Sequence, residues 1–418
     1  MPLTIRDPEV MGVTASSVTL AFRVDDAAGA ADATARVLID GELRARSEGA
    51  AASRLVRIEG LDPDTEYTLT IEVDGAARPV PDRYFPERVR TLPSPRARRT
   101  ATFATLNDLH FGEPRFGGQL TADHEYGDAA EGFPLIRAED TEVPYWRAMN
   151  EDAIAEINAA NVDAVVVKGD IADRGLPEQF GDIADRGLPE QFGIARDAFA
   201  KIRAPHHAFL GNHDYYGRHN GAGEVDGYAL LGQPPAPRSV TLGGWRLVLL
   251  ETAEPGDHHG VFHEDRLQWL AETLAETRER AIPTLLLMHH QPVPPEHRDS
   301  YPNTIGMLPE HSLPFFDLIG ANPQVKGVLI GHTHRNRLRL HRASGATPFV
   351  EVNCTKDYPG GWAHYELYED GSFRQEVRRT GSARALAHST RCRDCFRGLY
   401  RHFALGALDE RSFVAGGR

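Results

Sequence analysis

The chain has 418 residues, too many for one ordinary domain, so two or more domains are expected. Hydrophobic residues at 41% and charged residues at 25% exclude global disorder, and a total of three cysteines excludes a disulfide framework. A formal net charge of -14 repels polyanions and excludes a general nucleic-acid-binding role, though not a small phosphorylated substrate met by bound metal ions. The start, Met1 to Asp7, has neither a basic nor an apolar leader segment, and no apolar run is long enough to span a bilayer. The expected location is therefore cytoplasmic, without membrane contact.

Residues 1–93 read as a small all-β unit. Val18 to Val24, Ala35 to Asp40, Arg54 to Ile58 and Tyr67 to Val73 alternate apolar and polar residues, with turn residues between them. Leu61-Asp62-Pro63-Asp64-Thr65-Glu66-Tyr67 resembles the tyrosine corner of a fibronectin type III sandwich. The resemblance implies a β-sandwich without activity of its own. Residues 94–100, rich in Pro and Arg, read as a linker.

From residue 101 to 380 strands alternate with helices, the pattern of an α/β domain. Strands are expected at Thr102 to Leu106, Ala164 to Val167, His207 to Leu210, Trp245 to Leu250, Thr284 to Met288, Val325 to Ile330 and Phe349 to Val352. A hairpin from His364 to Val377 turns at Asp370-Gly371. Helical periodicity runs over Trp146 to Asn158 and Glu264 to Arg278. Residues 381–418, rich in Arg, read as a C-terminal extension. Gly169 to Phe180 (GDIADRGLPEQF) is repeated without a mismatch as Gly181 to Phe192, a local duplication rather than a solenoid.

Segments dense in metal-ligating side chains follow the apolar strands. They are Asp108-Leu109-His110, Gly169-Asp170, Gly211-Asn212-His213-Asp214, His289-His290 and Gly331-His332-Thr333-His334. The carboxyl ends of strands in an α/β sheet form the binding crevice, so these loops can converge. Asp108 and His110, like His332 and His334, are two apart, which in extended chain places both side chains on one face. Gly169, Gly211 and Gly331 allow close backbone approach. Mixed oxygen and nitrogen donors without thiolate suit Mn, Fe or Zn.

The ordered set D-x-H, G-D, G-N-H-D, H, G-H-x-H resembles the calcineurin-like metallophosphoesterases. Pro255-Gly256, Gly260, Leu267-Gln268-Trp269-Leu270 and Met288-His289-His290-Gln291-Pro292 resemble segments of their cyclic-nucleotide phosphodiesterase branch. The resemblance implies a four-layer αββα sandwich and two divalent metal ions. One is held by Asp108, His110, Asp170 and His334, the other by Asp170, Asn212, His289 and His332. It implies hydrolysis of a small phosphate ester, a phosphodiester such as a cyclic nucleotide or alternatively a phosphomonoester, by metal-bound hydroxide. His213 would neutralise phosphoryl charge or protonate the leaving oxygen, with Asp214 orienting it. The duplication offers Asp182 as a rival to Asp170; Asp170 is preferred because it directly follows an apolar strand. Purple acid phosphatases place Tyr three residues after the bridging Asp, where this chain has Asp173, so no iron charge-transfer colour is expected. His290 is assigned to packing or to supporting a neighbouring ligand, and Cys392-Arg393-Asp394-Cys395 lacks the second pair that a zinc site needs. The full ligand set argues against a catalytically dead scaffold.

Overall fold

A computed structural model describes residues 2–51, 53–119, 127–173, 189–215, 226–255, 257–300 and 303–416. The amino-terminal part comprises β1 (Thr4–Val13), β2 (Ser17–Asp26), β3 (Gly29–Ala30), β4 (Ala35–Ile39), β5 (Glu42–Ser47), β6 (Arg54–Glu59), β7 (Glu66–Val73) and β8 (Arg88–Arg90). β2 pairs with β1, β3 and β6 in one sheet, and the other runs β5-β4-β7-β8. Alternate residues Val18, Leu20, Phe22 and Val24 of β2 pack with Val37, Ile39 and Ile71 between the sheets. The Asp62 N–H donates to the Tyr67 hydroxyl at 2.8 Å, which closes the expected tyrosine corner. β1 escapes the alternation pattern because two register shifts along it break the period.

The larger unit begins with β9 (Arg99–Leu106), so the strand takes up the last two positions assigned to the linker. It continues with β10 (Arg115–Gly117), β11 (Leu135–Arg137), β12 (Ala164–Lys168), β13 (His206–Phe209), β14 (Arg238–Leu242), β15 (Trp245–Leu249), β16 (Thr284–Met288) and β17 (Val325–Ile330). It closes with β18 (Arg337–Leu340), β19 (Pro348–Glu351), β20 (Gly361–Tyr368), β21 (Ser372–Arg379) and β22 (Ser412–Gly416). Two six-stranded sheets form, ordered β13-β12-β9-β20-β21-β22 and β14-β15-β16-β17-β19-β18. Phe103, Val166, Leu247, Leu285, Leu329, Val350 and Tyr365 fill the space between them.

Helices cover the outer faces. Tyr145–Ala160 and Pro189–Phe199 bury Ile154, Ile157 and Phe192 against Val165 and Val167. Glu264–Glu279 and Pro309–Gly320 bury Leu270, Leu274, Phe315 and Phe316 against Leu286 and Val328. The result is the four-layer αββα sandwich. Helix Pro309–Gly320 was not expected, because Pro314 inside it mimics a break.

The carboxyl-terminal segment is woven into the fold. Helix Ala383–Arg393 packs on helix Tyr145–Ala160, and β22 adds to β21 as the edge strand. Two of its arginines, Arg393 and Arg411, are buried at the seam with the sandwich. Arg411 donates from Nη1 to the carbonyls of Val10 and Met11 at 2.9 and 2.7 Å, and Arg393 pairs with Asp7 at 2.8 Å and Glu9 at 3.2 Å. Met11, Ala21 and Tyr84 share an apolar cluster with Ile154 and Trp362, so the sandwich is packed against the larger unit.

Candidate metal centre

The loops after β9, β12, β13, β16 and β17 meet where the parallel strands of both sheets end. Ligand atoms of Asp108, Asp170 and His289 lie within 4.8 Å of one another, as do those of Asp108, His110 and His334. Asp170 faces both groups: Oδ1 is 3.2 Å from His289 Nε2, and Oδ2 is 3.9 Å from His110 Nε2. Asn212 Oδ1 is 3.2 Å from His289 Nε2, and His334 Nε2 is 3.5 Å from Asp108 Oδ1.

The imidazoles test whether metal ions fit. A ring whose one nitrogen donates outward presents a lone pair on the other. His289 Nδ1 donates to the Lys168 carbonyl at 2.8 Å and His332 Nε2 to the Ile305 carbonyl at 3.0 Å. His110 Nδ1 lies 3.2 Å from Asp173 Oδ1, and His334 Nδ1 lies 3.1 Å from Asp357 Oδ2. The inner nitrogens of His110 and His334 consequently face each other at 3.2 Å. His332 Nδ1 is buried and has no hydrogen-bond partner among the described residues. Buried lone pairs aimed at one another and at carboxylates are costly unless a cation shares them, so the residues fit two metal ions. Electrostatics agree. Burial pushes His289 down, but Asp170 and then Asp108 outweigh it and raise it to about 9. Burial likewise opposes the charge of His334, which Cys354, Asp108 and Asp357 together hold well above the usual imidazole range. Without ions, protons on these rings supply the positive charge that the carboxylates require, and metal binding would release them.

The backbone explains how residues so near in sequence reach one place, and it corrects the expectation of extended spacing. Asp108, His110, Asp170, His332 and His334 all have positive φ, from 42° to 65°. Left-handed turns, each costing about 1–3 kcal/mol in non-glycine residues, aim the paired side chains inward. A Cβ on Gly169 would stand 2.6 Å from His289 Nδ1, and one on Gly211 would stand 2.7 Å from His289 Nε2. Only glycine permits those approaches.

His213 stands beside the cluster with Nε2 3.9 Å from Asp170 Oδ2, and it is more exposed than His110 (side chain 20% against 4%). Asp214 does not orient it, contrary to expectation. The Asp214 carboxylate instead accepts N–H groups from Ile171 at 3.0 Å, Ala172 at 2.8 Å and Gly211 at 2.9 Å, tying the Asp170 loop to the Asn212 loop. Burial and then the neighbouring Asp170 charge raise Asp214 to about 7. The carboxylate beside His213 Nδ1 is Asp173, at 3.8 Å. Its i+3 spacing from Asp170 was visible, but its direction was not. Asp182 lies outside the described residues. His290 has its ring 4.5 Å from that of His332 and Nδ1 on the Thr252 hydroxyl, and its ligand atom lies within 4.8 Å of those of His289 and His332. Cys392 and Cys395 join no cluster of potential metal ligands among the described residues.

Sequence reasoning missed the support behind His334. Asp357 is 3.5 Å from Lys356 Nζ, which is 2.8 Å from Glu113 Oε2; Glu113 also accepts the Tyr145 hydroxyl at 2.5 Å. Glu113, Lys356 and Asp357 are all buried. None carries a motif, since Glu113 is far in sequence from the Lys356-Asp357 pair. Asp357→Asn should weaken metal binding about 10–100-fold by loosening the ring of His334. Competition with a chelator measures this, and an unchanged affinity would show that Asp357 does not hold the ligand.

Known proteins similar to this chain share its family. The family described as Calcineurin-like phosphoesterase matches residues 101–336. A probable cyclic nucleotide phosphodiesterase of Synechococcus is 29% identical over 51% of this chain and 76% of its own length. The 3',5'-cyclic adenosine monophosphate phosphodiesterase of Escherichia coli is 30% identical over 45% of this chain and 68% of its own length. A dimetal phosphatase from Danio rerio superposes with a TM-score of 0.48 at 16% identity, over 68% of this chain and 97% of that one.

Proposed function

The chain belongs to the calcineurin-like phosphoesterase family, and from that membership we propose that it hydrolyses phosphodiesters, cyclic nucleotides among them. Asp108, His110, Asp170 and His334 would hold one divalent ion, and Asp170, Asn212, His289 and His332 the other. When bound, such a pair supplies Lewis-acid stabilisation of phosphoryl oxygens and an activated water. The observation that carries the reading is the set of four imidazoles, each with its outer nitrogen engaged and its inner nitrogen turned to one centre.

The chain's own residues do the rest. Asp170 bridges the two ligand groups. The Asp214 carboxylate fixes the backbone on which Asp170 and Asn212 stand. His213, beside Asp173 and partly open to the cleft, donates a proton to the leaving oxygen or balances charge on the phosphoryl group. A diester leaves as an alcohol, so that proton matters most for poor leaving groups. Support for the substrate class comes from the relatives, which are named as cyclic nucleotide phosphodiesterases. A cytoplasmic setting belongs to the same reading, because all three cysteines are free and buried. No helix among the described residues is long and apolar enough to cross a membrane.

The test is a comparison of the manganese-loaded chain on 3',5'-cyclic AMP, bis(p-nitrophenyl) phosphate and p-nitrophenyl phosphate. The diesters should turn over with the higher kcat/KM. A monoester rate about tenfold above both diesters would make the chain a phosphomonoesterase and end the diester assignment.

A further inference from the structure

A second place on the molecule has the chemistry of a binding site, and none of the metal-centre residues lines it. β18 is the edge strand of the second sheet, with Arg337 and Arg339 at alternate positions. In register, Arg337 lies opposite Glu351 and Arg339 opposite Phe349. Phe349 packs with Phe315 and Phe316 of helix Pro309–Gly320, so both arginines lie on the helix-covered face. Between this edge, the helix and the segment from Pro294 to His297 opens a groove of about 790 Å³.

Charge and apolar surface meet in that groove. Arg337, Arg339 and Arg342 line it, and Glu296 is the one carboxylate among its lining residues. The buried Glu351 beneath is already shared by Arg335 at 2.7 Å and Arg339 at 3.2 Å. Arg337 and Arg342 form no ion pair among the described residues. On a chain of net charge -14 this is a local surplus of cations. The cations crowd one another: burial lowers Arg339 to about 10 against the pull of Glu351, with Arg337 and Arg335 adding to the fall. Burial and then Arg339 push His341 down to about 4. Leu313 and Leu340, 43% and 64% exposed, are two of six exposed large hydrophobics among the described residues, and both line this groove beside Phe316.

We propose that this groove binds a small amphiphilic anion, a molecule with an apolar body and a sulfonate, phosphate or carboxylate head. The guanidinium groups of Arg337 and Arg342 present paired N–H donors to the head. Leu313 of the helix and Pro295 of the facing segment flank the body and leave water with it, above the buried Phe316. The groove's volume falls in the range that buries one small molecule. The same head and tail occur in an anionic lipid surface, but walls on two sides, the helix and the Pro294–His297 segment, suit a single free molecule.

Calorimetric titration of the metal-loaded chain with 1-octanesulfonate tests this, because a sulfonate is not a hydrolysable phosphate ester. One site per chain is expected. Methanesulfonate, with the head alone, should bind about tenfold or more weakly, and octyltrimethylammonium, with the charge reversed, should not bind. Arg337→Gln with Arg342→Gln should weaken octanesulfonate about tenfold or more, and Leu313→Ser should weaken it with both arginines intact. Both variants should keep the wild-type turnover of bis(p-nitrophenyl) phosphate, which shows an intact fold and separates this result from the substrate assignment. Equal affinity in the arginine variant, or equal binding of the cation, would overturn the proposal. So would arginine-dependent sedimentation with phosphatidylglycerol vesicles without any binding of free octanesulfonate, which would assign the groove to a membrane surface.

Discussion

Asp170→Asn is expected to lower phosphodiester turnover at least about a thousandfold and to leave less than the full pair of metal ions after dialysis. Two dications repel each other strongly at close range, and a shared carboxylate is the charge that offsets the repulsion. Asp170 is the carboxylate that faces both ligand groups, through Oδ1 toward His289 and Oδ2 toward His110. The amide of Asn keeps the shape but removes the charge. Asp170 also supports its neighbours through the main chain: its carbonyl accepts the N–H groups of Leu109 and His110 at 2.8 and 3.0 Å. The Asn variant preserves those bonds, so loss of activity reports on the charge. Asp182→Ala, in the second copy of the duplicated segment, should stay within about twofold of wild type. Turnover and metal content of the two variants decide between the copies. The reverse pattern, with Asp182→Ala the damaging change, would move the bridge to the second copy.

His213→Asn should reduce kcat about 10²–10⁴-fold while both metal ions remain bound. The ring is not placed among the inner ligands. It stands on the more exposed side with Nε2 toward Asp170 and Nδ1 toward Asp173. On the proposed reading a group there would act on the substrate rather than on the metals, so its loss should scale with the need for a proton. The deficit should be large for a cyclic nucleotide, whose leaving group is an alkoxide. It should shrink for bis(p-nitrophenyl) phosphate, whose leaving phenolate departs without help. Asp173→Asn should follow the same trend more weakly, and Asp214→Asn should instead cost stability through the loop backbone it holds. Equal deficits on the two substrates would show that His213 serves geometry and not proton transfer.

Some of this protein was readable from one dimension. Each ligand segment is local: Asp108 and His110, the Asn212 to Asp214 run, and His332 with His334 follow directly on apolar strands. A strand and the loop after it are specified by neighbouring residues, so both the strands and the candidate ligands on their ends could be named. The alternating runs Val18 to Val24 and Tyr67 to Val73 gave the β-sandwich for the same reason. The Arg-rich tail reads in sequence as an extension because no local pattern shows what its arginines meet. Arg411 and Arg393 are buried only because β1 brings carbonyls and carboxylates to them from the other end of the chain.

What the tertiary structure alone decided is direction. Sequence supplied His110, His289, His332 and His334 as candidate ligands, but not which ring nitrogen is engaged by the surroundings, because that depends on Asp173, Lys168, Ile305 and Asp357. It placed Asp214 beside His213, yet a left-handed backbone at Asp170 turns the loop so that Asp214 meets main-chain N–H groups and Asp173 meets the ring. Nor did it mark Glu113, Lys356, Arg337 or Leu340. Local patterns fix which side chains are available, whereas hydrogen-bond partners and charge surplus arise from contacts between distant segments and exist only once the chain has folded.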